Sequence, residues 1–424
     1  MSVFRAQSPE ELRTTRAELM QRYQAICDRN LSLDITRGKP CPEQLDLSAA
    51  LLENLAADDF RSADGTDCRN YGGIDGLIEA RRLFADYMGV TPEEIIIGGN
   101  SSLTLMYDTF MRAMVHGVGK ALPPWGHQKT LKFICPSPGY DRHFSICEYL
   151  GIEMLPVAMQ EGGPDMDAVE ALAADPAVKG IWCVPVFSNP TGAIYTDETV
   201  ERLARMTTGA DDFRIFWDNA YPVHHLGGGP PRVRNILEAC TAAGNPDRPL
   251  LFGSTSKITF PSAGLAMMAG SRANMDWVRD HLFYQTIGPD KLNQLRHVRF
   301  FTDLAGIHRH MEKHAAIMRR RFEAVQEVLD RELAGKDLAD WTRPEGGYFV
   351  SFDTPDGCAR TVVAMAARAG VKLTPAGATF PLRKDPRDRN VRIAPTFAAV
   401  EDVRTAVEVL AICTQIAAID PLLG

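Results

Sequence analysis

Four short motifs carry side chains that could perform chemistry, and each motif lies in or directly after an apolar stretch that predicts a strand. The candidates are Asn189 in NPTG, Asp218 and Tyr221 in DNAY, Ser254, Ser256 and Lys257 in STSK, and Arg392 in NVRI. Ligands of open α/β sheets bind beyond the carboxyl ends of the strands, so side chains that are distant in the sequence can meet there. The motifs therefore predict one site that combines an amine, a carboxylate, hydroxyls and a guanidinium.

This set of groups is what pyridoxal 5'-phosphate (PLP) chemistry on an amino acid requires. The amine of Lys257 can form a Schiff base with the cofactor. A carboxylate such as Asp218 beside the pyridine nitrogen keeps that nitrogen protonated, so the ring can accept the electrons left when the substrate loses its Cα proton. Donors to the phenolic oxygen lower the pKa of the Schiff base, and the guanidinium of Arg392 can bind an α-carboxylate through two parallel hydrogen bonds.

Each motif alone has a structural alternative. A lysine near serines can be an ordinary surface lysine, Asn-Pro-Thr-Gly can be a simple turn, Asp218 can cap a helix and Arg392 can form a structural ion pair. Two further aromatic candidates outside these motifs, Tyr140 and Tyr71, can be packing residues. The order of the four motifs at strand ends favours the functional interpretation of the set.

The motifs NPTG, DNAY, STSK and NVRI, with their order and spacing, resemble those of the fold-type I, class I aminotransferases over almost the full chain. The resemblance implies that Lys257 is both the Schiff-base lysine and the proton carrier between the substrate Cα and the cofactor. It implies that Asp218 pairs with the pyridine nitrogen and that Asn189 and Tyr221 donate to the phenolic oxygen. Arg392 is then expected to hold the substrate α-carboxylate, with Asn189 beside it.

The same resemblance assigns the remaining cofactor contacts. Tyr140, in PSPGYDRHF, occupies the position where the family stacks an aromatic side chain on the cofactor ring. The side chains and backbone amides expected to hold the phosphate belong to Asn100, Ser101, Ser102, Ser254 and Ser256. Tyr71, in NYGGIDG, resembles the tyrosine that reaches the phosphate of the neighbouring subunit. We therefore expect a homodimer with shared active sites.

One segment departs from the family pattern. Related enzymes follow the lysine with Gly-Leu-Arg, whose arginine binds the phosphate, whereas this chain has Gly264-Leu265-Ala266. The loss of one charge-assisted hydrogen bond costs about 1.5–3 kcal/mol unless another group replaces it. The segment TIGPDKLNQ offers Thr286 or Lys291, reaching across the dimer interface, as the replacement.

The segments TRGKP, RNYGGIDG, GNSSLTLMYD, STSKITFPSAG and QTIGPDKLNQLRH resemble the class Ic aspartate aminotransferases, also described as MocR-like. This subgroup implies aspartate or glutamate as the amino donor and a 2-oxoacid such as 2-oxoglutarate as the acceptor. An acidic substrate side chain needs a second cation. Arg37, next to Gly38 in the segment that covers the substrate in the family, is the first candidate, and an ordinary salt bridge of Arg37 is the alternative.

The elements around these motifs predict an α/β fold. Short apolar runs occur at EIIIGG, LKFICP, IEMLPV, GIWCVPV, RIFWDN, PLLFGST and LAMMAG, with helical stretches between most of them. This alternation predicts a mainly parallel sheet covered on both faces, and the resemblance implies seven strands and the PLP-transferase fold of type I. We expect helices over 9–29 and 48–56, strands at GGYFVSFD, VKLTPAGATF and RNVRIAPTF, and a closing helix. A large domain over 60–300 and a smaller α+β domain from 1–59 and 301–424 follow.

Composition limits the other classes of function. A formal net charge of −8 gives no electrostatic case for nucleic acid or an anionic membrane. The nine cysteines lack CxxC spacing, and neither a signal sequence nor 18 consecutive apolar residues occur. We expect a cytoplasmic protein without a membrane span or a metal. His308, His310 and His314 are expected on a solvated helix face, whereas His224 and His225 are either packing residues or support the cofactor residues.

Two alternatives to an aminotransferase stay open. The same fold also performs elimination and decarboxylation, and the lysine, aspartate and arginine do not discriminate among these reactions. MocR-like domains also act as PLP-binding sensors in transcription regulators, which carry an additional winged helix of about 60–70 residues. The stretch before Tyr71 is acidic and contains ITRGKP, which argues against that domain. Donor and acceptor specificity, pathway and assembly beyond a dimer are not fixed by the sequence.

Overall fold

The computed structural model describes residues 3–119 and 122–423. Its helices are α1 (Pro9–Cys27), α2 (Pro42–Asp46), α3 (Ile78–Met88), α4 (Ser102–His116), α5 (Asp141–Tyr149), α6 (Met166–Ala173), α7 (Asp197–Arg205), α8 (Ile236–Ala242), α9 (Arg272–Gln285), α10 (Lys291–Phe301), α11 (Leu304–Leu333), α12 (Ala359–Arg368) and α13 (Val400–Leu423). Short 3₁₀ helices cover Val3–Ala6, Ala49–Leu52, Trp125–His127 and Pro381–Arg383.

The strands are β1 (Leu33–Asp34), β2 (Ile95–Ile97), β3 (Lys132–Ser137), β4 (Glu153–Gln160), β5 (Gly163–Pro164), β6 (Val178–Cys183), β7 (Arg214–Asp218), β8 (Pro249–Ser254), β9 (Ala266–Gly270), β10 (Asp340–Trp341), β11 (Val350–Asp353), β12 (Val371–Lys372) and β13 (Asn390–Ile393). The seven apolar runs between EIIIGG and LAMMAG all form strands of one large sheet. The α/β prediction is confirmed.

The order of the large sheet is β2-β9-β8-β7-β6-β3-β4-β5 within the described residues. Strands β4, β3, β6, β7 and β8 run parallel to one another, whereas β9 is antiparallel to both β8 and β2 and β5 is antiparallel to β4. Because β9 is antiparallel to both β8 and β2, strands β2 and β8 run in the same direction. The carboxyl ends of β2, β6, β7 and β8 therefore lie at the same edge of the sheet. This edge positions the candidate site. The two-residue β5 adds an eighth strand to the seven that were expected.

The central strands are buried on both sides because both faces of the sheet are covered. Every residue of β6, β7, β8 and β9 is buried. One hydrophobic cluster includes Phe84, Val200 and Ile215, and another includes Phe110, Trp182 and Phe216. The two clusters lie on opposite faces of the sheet, because successive side chains of a strand, such as Ile215 and Phe216, point to opposite sides.

A further hydrophobic cluster joins both ends of the chain. It contains residues of α1, the second half of α11, α12 and α13 around the sheet β10-β11-β13. Helix α11 bridges the regions, since its Ile307 and Met311 pack in the first cluster and its Phe322 and Val325 in this one. The domain boundaries at 59/60 and 300/301 stay a prediction.

Helix α13 has the length and apolar composition of a membrane span, although 67% of its most apolar window is buried inside the protein. It packs against α1, α11 and α12. These contacts make it a core helix of the region built from the chain ends.

Two local predictions are wrong. The expected helix over 48–56 is only the 3₁₀ turn Ala49–Leu52. The expected strand VKLTPAGATF is reduced to Val371–Lys372, because the proline at 375 lacks a backbone N–H and Gly377 has a φ of +81°.

Candidate active site

Lys257 lies in the turn that follows β8, beyond the carboxyl edge of the sheet. Its side chain is half-buried, and its Nζ lies 5.0 Å from the ring centroid of Tyr221 and 6.0 Å from that of Tyr348. Burial lowers the pKa of the Lys257 amine, and the negative charge of Asp218 partly opposes that shift. Within 3–119 and 122–423 this amine has no carboxylate or hydrogen-bond partner. It is therefore available to react with a carbonyl group.

Asp218, the last residue of β7, holds a buried carboxylate of which one oxygen is paired. Its Oδ2 lies 3.0 Å from Nε2 of His143, and both side chains are almost fully buried. The ring of His143 stacks on Trp182, with centroids 4.1 Å apart. Oδ1 of Asp218 is buried and has no hydrogen-bond partner among the described residues. A buried acceptor in this position suits a donor from a bound group, because an unpaired buried carboxylate oxygen is costly.

His143 was not identified from the sequence. It lies in the first turn of α5, three residues after Tyr140, which is the N-cap residue of that helix. The rings of Tyr140 and His143 meet edge-to-face at 4.9 Å. The i, i+3 spacing in YDRH was the available signal, but only the fold brings His143 to Asp218.

Tyr140 and Tyr221 line the space in front of Asp218. Burial raises the pKa of both hydroxyls, and the charge of Asp218 adds to the shift. The ring of Tyr221 packs against Tyr348 and Phe349, with centroids 5.9 and 6.5 Å apart, and the guanidinium of Arg392 lies over the ring of Phe349. The amine of Lys257 lies against the ring of Tyr221 as well, so Tyr221 connects the turn of Lys257 with the wall that carries Arg392.

Arg392, on β13, is buried and joins the site from the region formed by the chain ends. Its Nη1 donates to Oδ1 of Asn189 at 3.3 Å and to Oδ1 of Asp141 at 2.9 Å, and its guanidinium lies 4.8 Å from the ring of Phe349. Nε of Arg392 is buried without a partner in the described chain. The guanidinium is thus fixed on one side and has an unsatisfied donor on another. Asp141 was not identified from the sequence.

The hydroxyl groups expected at a phosphate meet at the same edge. Ser254 Oγ donates to Ser256 Oγ at 3.0 Å, and Ser256 Oγ donates to the carbonyl of Asn100 at 3.1 Å. Ser101 is the N-cap of α4, but its side chain makes no capping hydrogen bond, and Ser102 is the first residue of that helix. The first amides of a helix lack internal partners, so this end of α4 with its serines can bind an anion.

Lys291 and Thr286, the two proposed replacements for the missing arginine, are engaged within the chain. The amine of Lys291 donates to the carbonyls of Asn70 and Gly72 at 2.6 and 2.7 Å, and Thr286 Oγ1 bonds Gly288. Lys291 therefore fixes the loop that carries Tyr71. Ala266 lies fully buried in β9, paired with Ser254.

Tyr71 and Arg37 stand apart from the buried groups. The side chain of Tyr71 is 79% exposed. Arg37 is exposed and its side chain makes no ion pair within the described residues, so the salt-bridge alternative is not found there. Gly38, its neighbour, approaches the wall of the site so closely that an added Cβ would lie 2.5 Å from Phe349.

The expectation of a solvated histidine face is wrong for two of the three histidines on α11. His310 and His314 are buried and lie next to the Lys257 turn, where His310 Nε2 bonds the carbonyl of Ile258 at 2.8 Å. His224 is also buried, and its Nε2 lies 3.3 Å from the carbonyl of Lys257. The described residues contain no cluster of His, Cys, Asp or Glu suited to a metal ion.

Comparisons with known proteins agree with this geometry. A family model described as "Aspartate amino-transferase" matches residues 7–424. An aspartate aminotransferase from Corynebacterium glutamicum is 47% identical over 401 residues, covering 95% of this chain and 93% of that protein. The crystal structure of an aspartate transaminase from Corynebacterium glutamicum has a TM-score of 0.97 at 45% identity and covers 99% of both chains. An α-aminoadipate aminotransferase from Thermus thermophilus, complexed with N-(5'-phosphopyridoxyl)-L-leucine, shares the fold with a TM-score of 0.71 at 22% identity, covering 96% of this chain and 98% of that one.

Proposed function

The chain belongs to the aspartate aminotransferase family and is an aminotransferase, and we propose that it moves the amino group of aspartate or glutamate to a 2-oxoacid such as 2-oxoglutarate. The 47% identity to an aspartate aminotransferase supports this substrate class. One observation carries the proposal: the unpaired amine of Lys257 lies 5.0 Å from the ring of Tyr221, three residues after the half-paired carboxylate of Asp218. The ring of Tyr221 packs against Phe349, over which the guanidinium of Arg392 lies at 4.8 Å.

Pyridoxal 5'-phosphate is the cofactor that these residues fit. The buried, unpaired Oδ1 of Asp218 is an acceptor for a protonated ring nitrogen, which is the pairing that holds a pyridine in its charged form. Beside the first turn of α4, Asn100 offers an amide and four serines offer hydroxyls: Ser101, Ser102, Ser254 and Ser256. Tyr140 offers a ring face above the site, and Asn189 and Tyr221 offer donors near the ring edge.

The side chains have distinct tasks in the reaction. When bound, the cofactor supplies an electron sink for the pair of electrons left at the substrate Cα. Lys257 would hold the cofactor through its amine, and in its free form that amine would take and carry the proton of the substrate Cα. Burial lowers the pKa of this amine, which favours the neutral form that accepts a proton. His143 fixes the orientation of the Asp218 carboxylate.

Substrate recognition divides between the two carboxylates of an acidic amino acid. Arg392, held by Asn189 and Asp141, binds the α-carboxylate with the part of its guanidinium that includes the unpaired Nε. We assign the side-chain carboxylate to Arg37, which is exposed and adjoins Gly38 at the wall of the site. An Arg37→Gln variant should raise KM for aspartate and leave KM for alanine almost unchanged.

A second copy of the chain completes each site. Large apolar side chains are exposed around the Tyr71 loop, with Phe283 at 69%, Tyr284 at 85% and Ile287 at 64%. The carbonyl of Ile287 accepts a hydrogen bond from Gly72, so these residues and Tyr71 form one surface. An exposed apolar surface of this kind is typical of a protein interface. We propose that Tyr71 lies against the phosphate residues of the partner in a homodimer.

Hybrid dimers test this arrangement. If Tyr71 serves the partner, mixing a Lys257→Ala chain with a Tyr71→Ala chain gives hybrids in which one site has both residues intact. The activity of the mixture should then exceed that of either parent. If Tyr71 serves its own subunit, no hybrid site is intact and mixing gives no gain. Light scattering measures whether the dimer itself forms.

We place the protein in the cytoplasm, where all nine of its cysteines can stay reduced. The structure has no disulfide among them, and eight of the nine are buried. Free buried cysteines are usual in proteins of reducing compartments.

The function is tested by adding single amino acids to the cofactor-loaded protein and recording its visible spectrum. We expect aspartate or glutamate to convert the aldehyde form of the cofactor to the amine form, and 2-oxoglutarate to reverse the change. Product analysis separates this outcome from elimination or decarboxylation, which release ammonia or carbon dioxide. A spectrum that no amino acid changes, together with DNA binding that weakens as salt rises, would instead indicate a sensor.

A further inference from the structure

The turn that carries Lys257 is held from behind through its main chain. His224 Nε2 and the hydroxyl of Tyr348 both donate to the carbonyl of Lys257, at 3.3 and 3.4 Å, and His310 Nε2 donates to the carbonyl of Ile258 at 2.8 Å. Carbonyl oxygens only accept, so the side chains are the donors. These bonds leave the Lys257 amine itself unengaged.

Two more buried side chains link these donors to one another. Nε2 of His314 lies 3.1 Å from Nε2 of His310, and Nδ1 of His314 lies 3.0 Å from Nε2 of Gln44. Nε2 of Gln44 in turn donates to the hydroxyl of Tyr348 at 3.2 Å. The five side chains of His224, His310, His314, Gln44 and Tyr348, all buried, form what we call the lysine-turn network.

The network is uncharged. Burial lowers the pKa of both His224 and His314 to about 3. The network therefore acts on Lys257 through geometry.

The network joins distant parts of the chain. His224 follows β7, His310 and His314 lie on α11, Tyr348 precedes β11, and Gln44 lies on α2. Helix α2 directly follows the segment with Gly38, which packs against Tyr348 and Phe349. The N-terminal segment at the substrate side is thus connected to the turn of the reacting amine.

We propose that the lysine-turn network is a positioning device that sets the place of the Lys257 amine according to the packing of the N-terminal segment. The inference rests on the proposed function in so far as Lys257 is the reacting amine. A lysine that takes a proton from one atom and returns it to another must reach both. Misplacement by about 1 Å can cost on the order of a hundred-fold in rate.

Tyr348→Phe and His314→Leu test the proposal, since each removes polar contacts while retaining most of the side-chain volume. We expect kcat to fall about ten- to a hundred-fold while KM for the amino donor changes much less, and the kinetic isotope effect of Cα-deuterated substrate to rise. His314→Gln, which retains a polar end, should recover part of kcat. His308→Gln, two residues before His310 and outside the network, should resemble the wild type.

Two measurements do not depend on turnover. The rate at which the apoprotein captures added PLP on Lys257 should fall in Tyr348→Phe and His314→Leu, and the pH at which the bound cofactor changes its visible absorbance should shift. Urea unfolding shows whether each variant is folded. A folded His314→Leu protein with wild-type kcat, isotope effect, capture rate and absorbance titration would overturn the inference. A wild-type protein that captures no PLP would contradict the proposed function itself, and the inference with it.

Discussion

Replacement of Arg392 by lysine tests how the site distinguishes a guanidinium from a simple positive charge. The structure holds Arg392 by Nη1, through Asp141 at 2.9 Å and Asn189 at 3.3 Å, and leaves Nε buried and unpaired. A lysine retains the charge but presents a single nitrogen, so it cannot make two parallel bonds to a carboxylate.

The magnitude follows from the bond that is lost. One hydrogen bond to a charged group contributes about 1.5–3 kcal/mol, which corresponds to roughly ten- to a hundred-fold in kcat/KM. We expect Arg392→Lys to lower kcat/KM for aspartate by this factor. For an amine with the same side chain and no α-carboxylate, kcat/KM of the variant should stay close to that of the wild type, because this substrate has no carboxylate to bind the second nitrogen of the arginine.

Steady-state rates with 2-oxoglutarate as acceptor measure both substrates. Arg389→Lys is the matched control, since Arg389 lies just before β13 and pairs with Asp340 and Asp353 outside the site. An Arg392→Lys enzyme with wild-type kcat/KM for aspartate, or with equal losses for both substrates, would refute the assignment of Arg392 to the α-carboxylate.

Three further predictions concern the carboxylate, the core and the histidines. Asp218→Asn removes the charge opposite the ring nitrogen and so lowers the pKa of that nitrogen by about 1–3 units. We expect kcat to fall by roughly ten- to a thousand-fold, while the absorbance of the Schiff base remains. A wild-type kcat in this variant would contradict the role of Asp218. Asp212 and the amine of Lys179 form a buried ion pair at 2.7 Å. Lys179→Met leaves the Asp212 carboxylate buried without its charge partner, so urea unfolding should show a free energy of unfolding that is lower by about 3–5 kcal/mol. Burial lowers the pKa of both His224 and His314 in the folded protein to about 3. Below about pH 6.5 the unfolded chain therefore binds protons that the folded protein does not bind. The free energy of unfolding should fall as the pH drops from 6.5 towards 3. His314→Gln should make that pH dependence less steep; an unchanged slope would contradict the buried, neutral state of His314.

The sheet and its edge residues were predictable because their signals are local. Buried parallel strands are short apolar runs, and Asp218 and Ser254 end two of them. The contact between Asp218 and His143 joins residues 75 positions apart, and that between Arg392 and Asp141 joins residues 251 apart. No local pattern specifies such pairs, since they arise only when the strand order is fixed.

The histidines of α11 show a signal that was present and given too little weight. The charged neighbours of His310 and His314 suggested a solvated face, yet Ile307, Met311 and Met318 mark the buried stripe of this helix. Positions 310 and 314 lie on that stripe at i, i+3 and i, i+4 spacing. Hydrophobic periodicity, read through the polar residues, would have placed both histidines inside.

The central claim is that the amine of Lys257 carries the cofactor next to Asp218. Reduction of the cofactor-loaded protein with borohydride, followed by proteolysis and mass spectrometry, identifies the modified lysine directly. We predict a phosphopyridoxyl group on the peptide that contains Lys257, and none in the Lys257→Ala variant. A modified peptide from another lysine, or an active protein that yields no modified peptide, would contradict the claim.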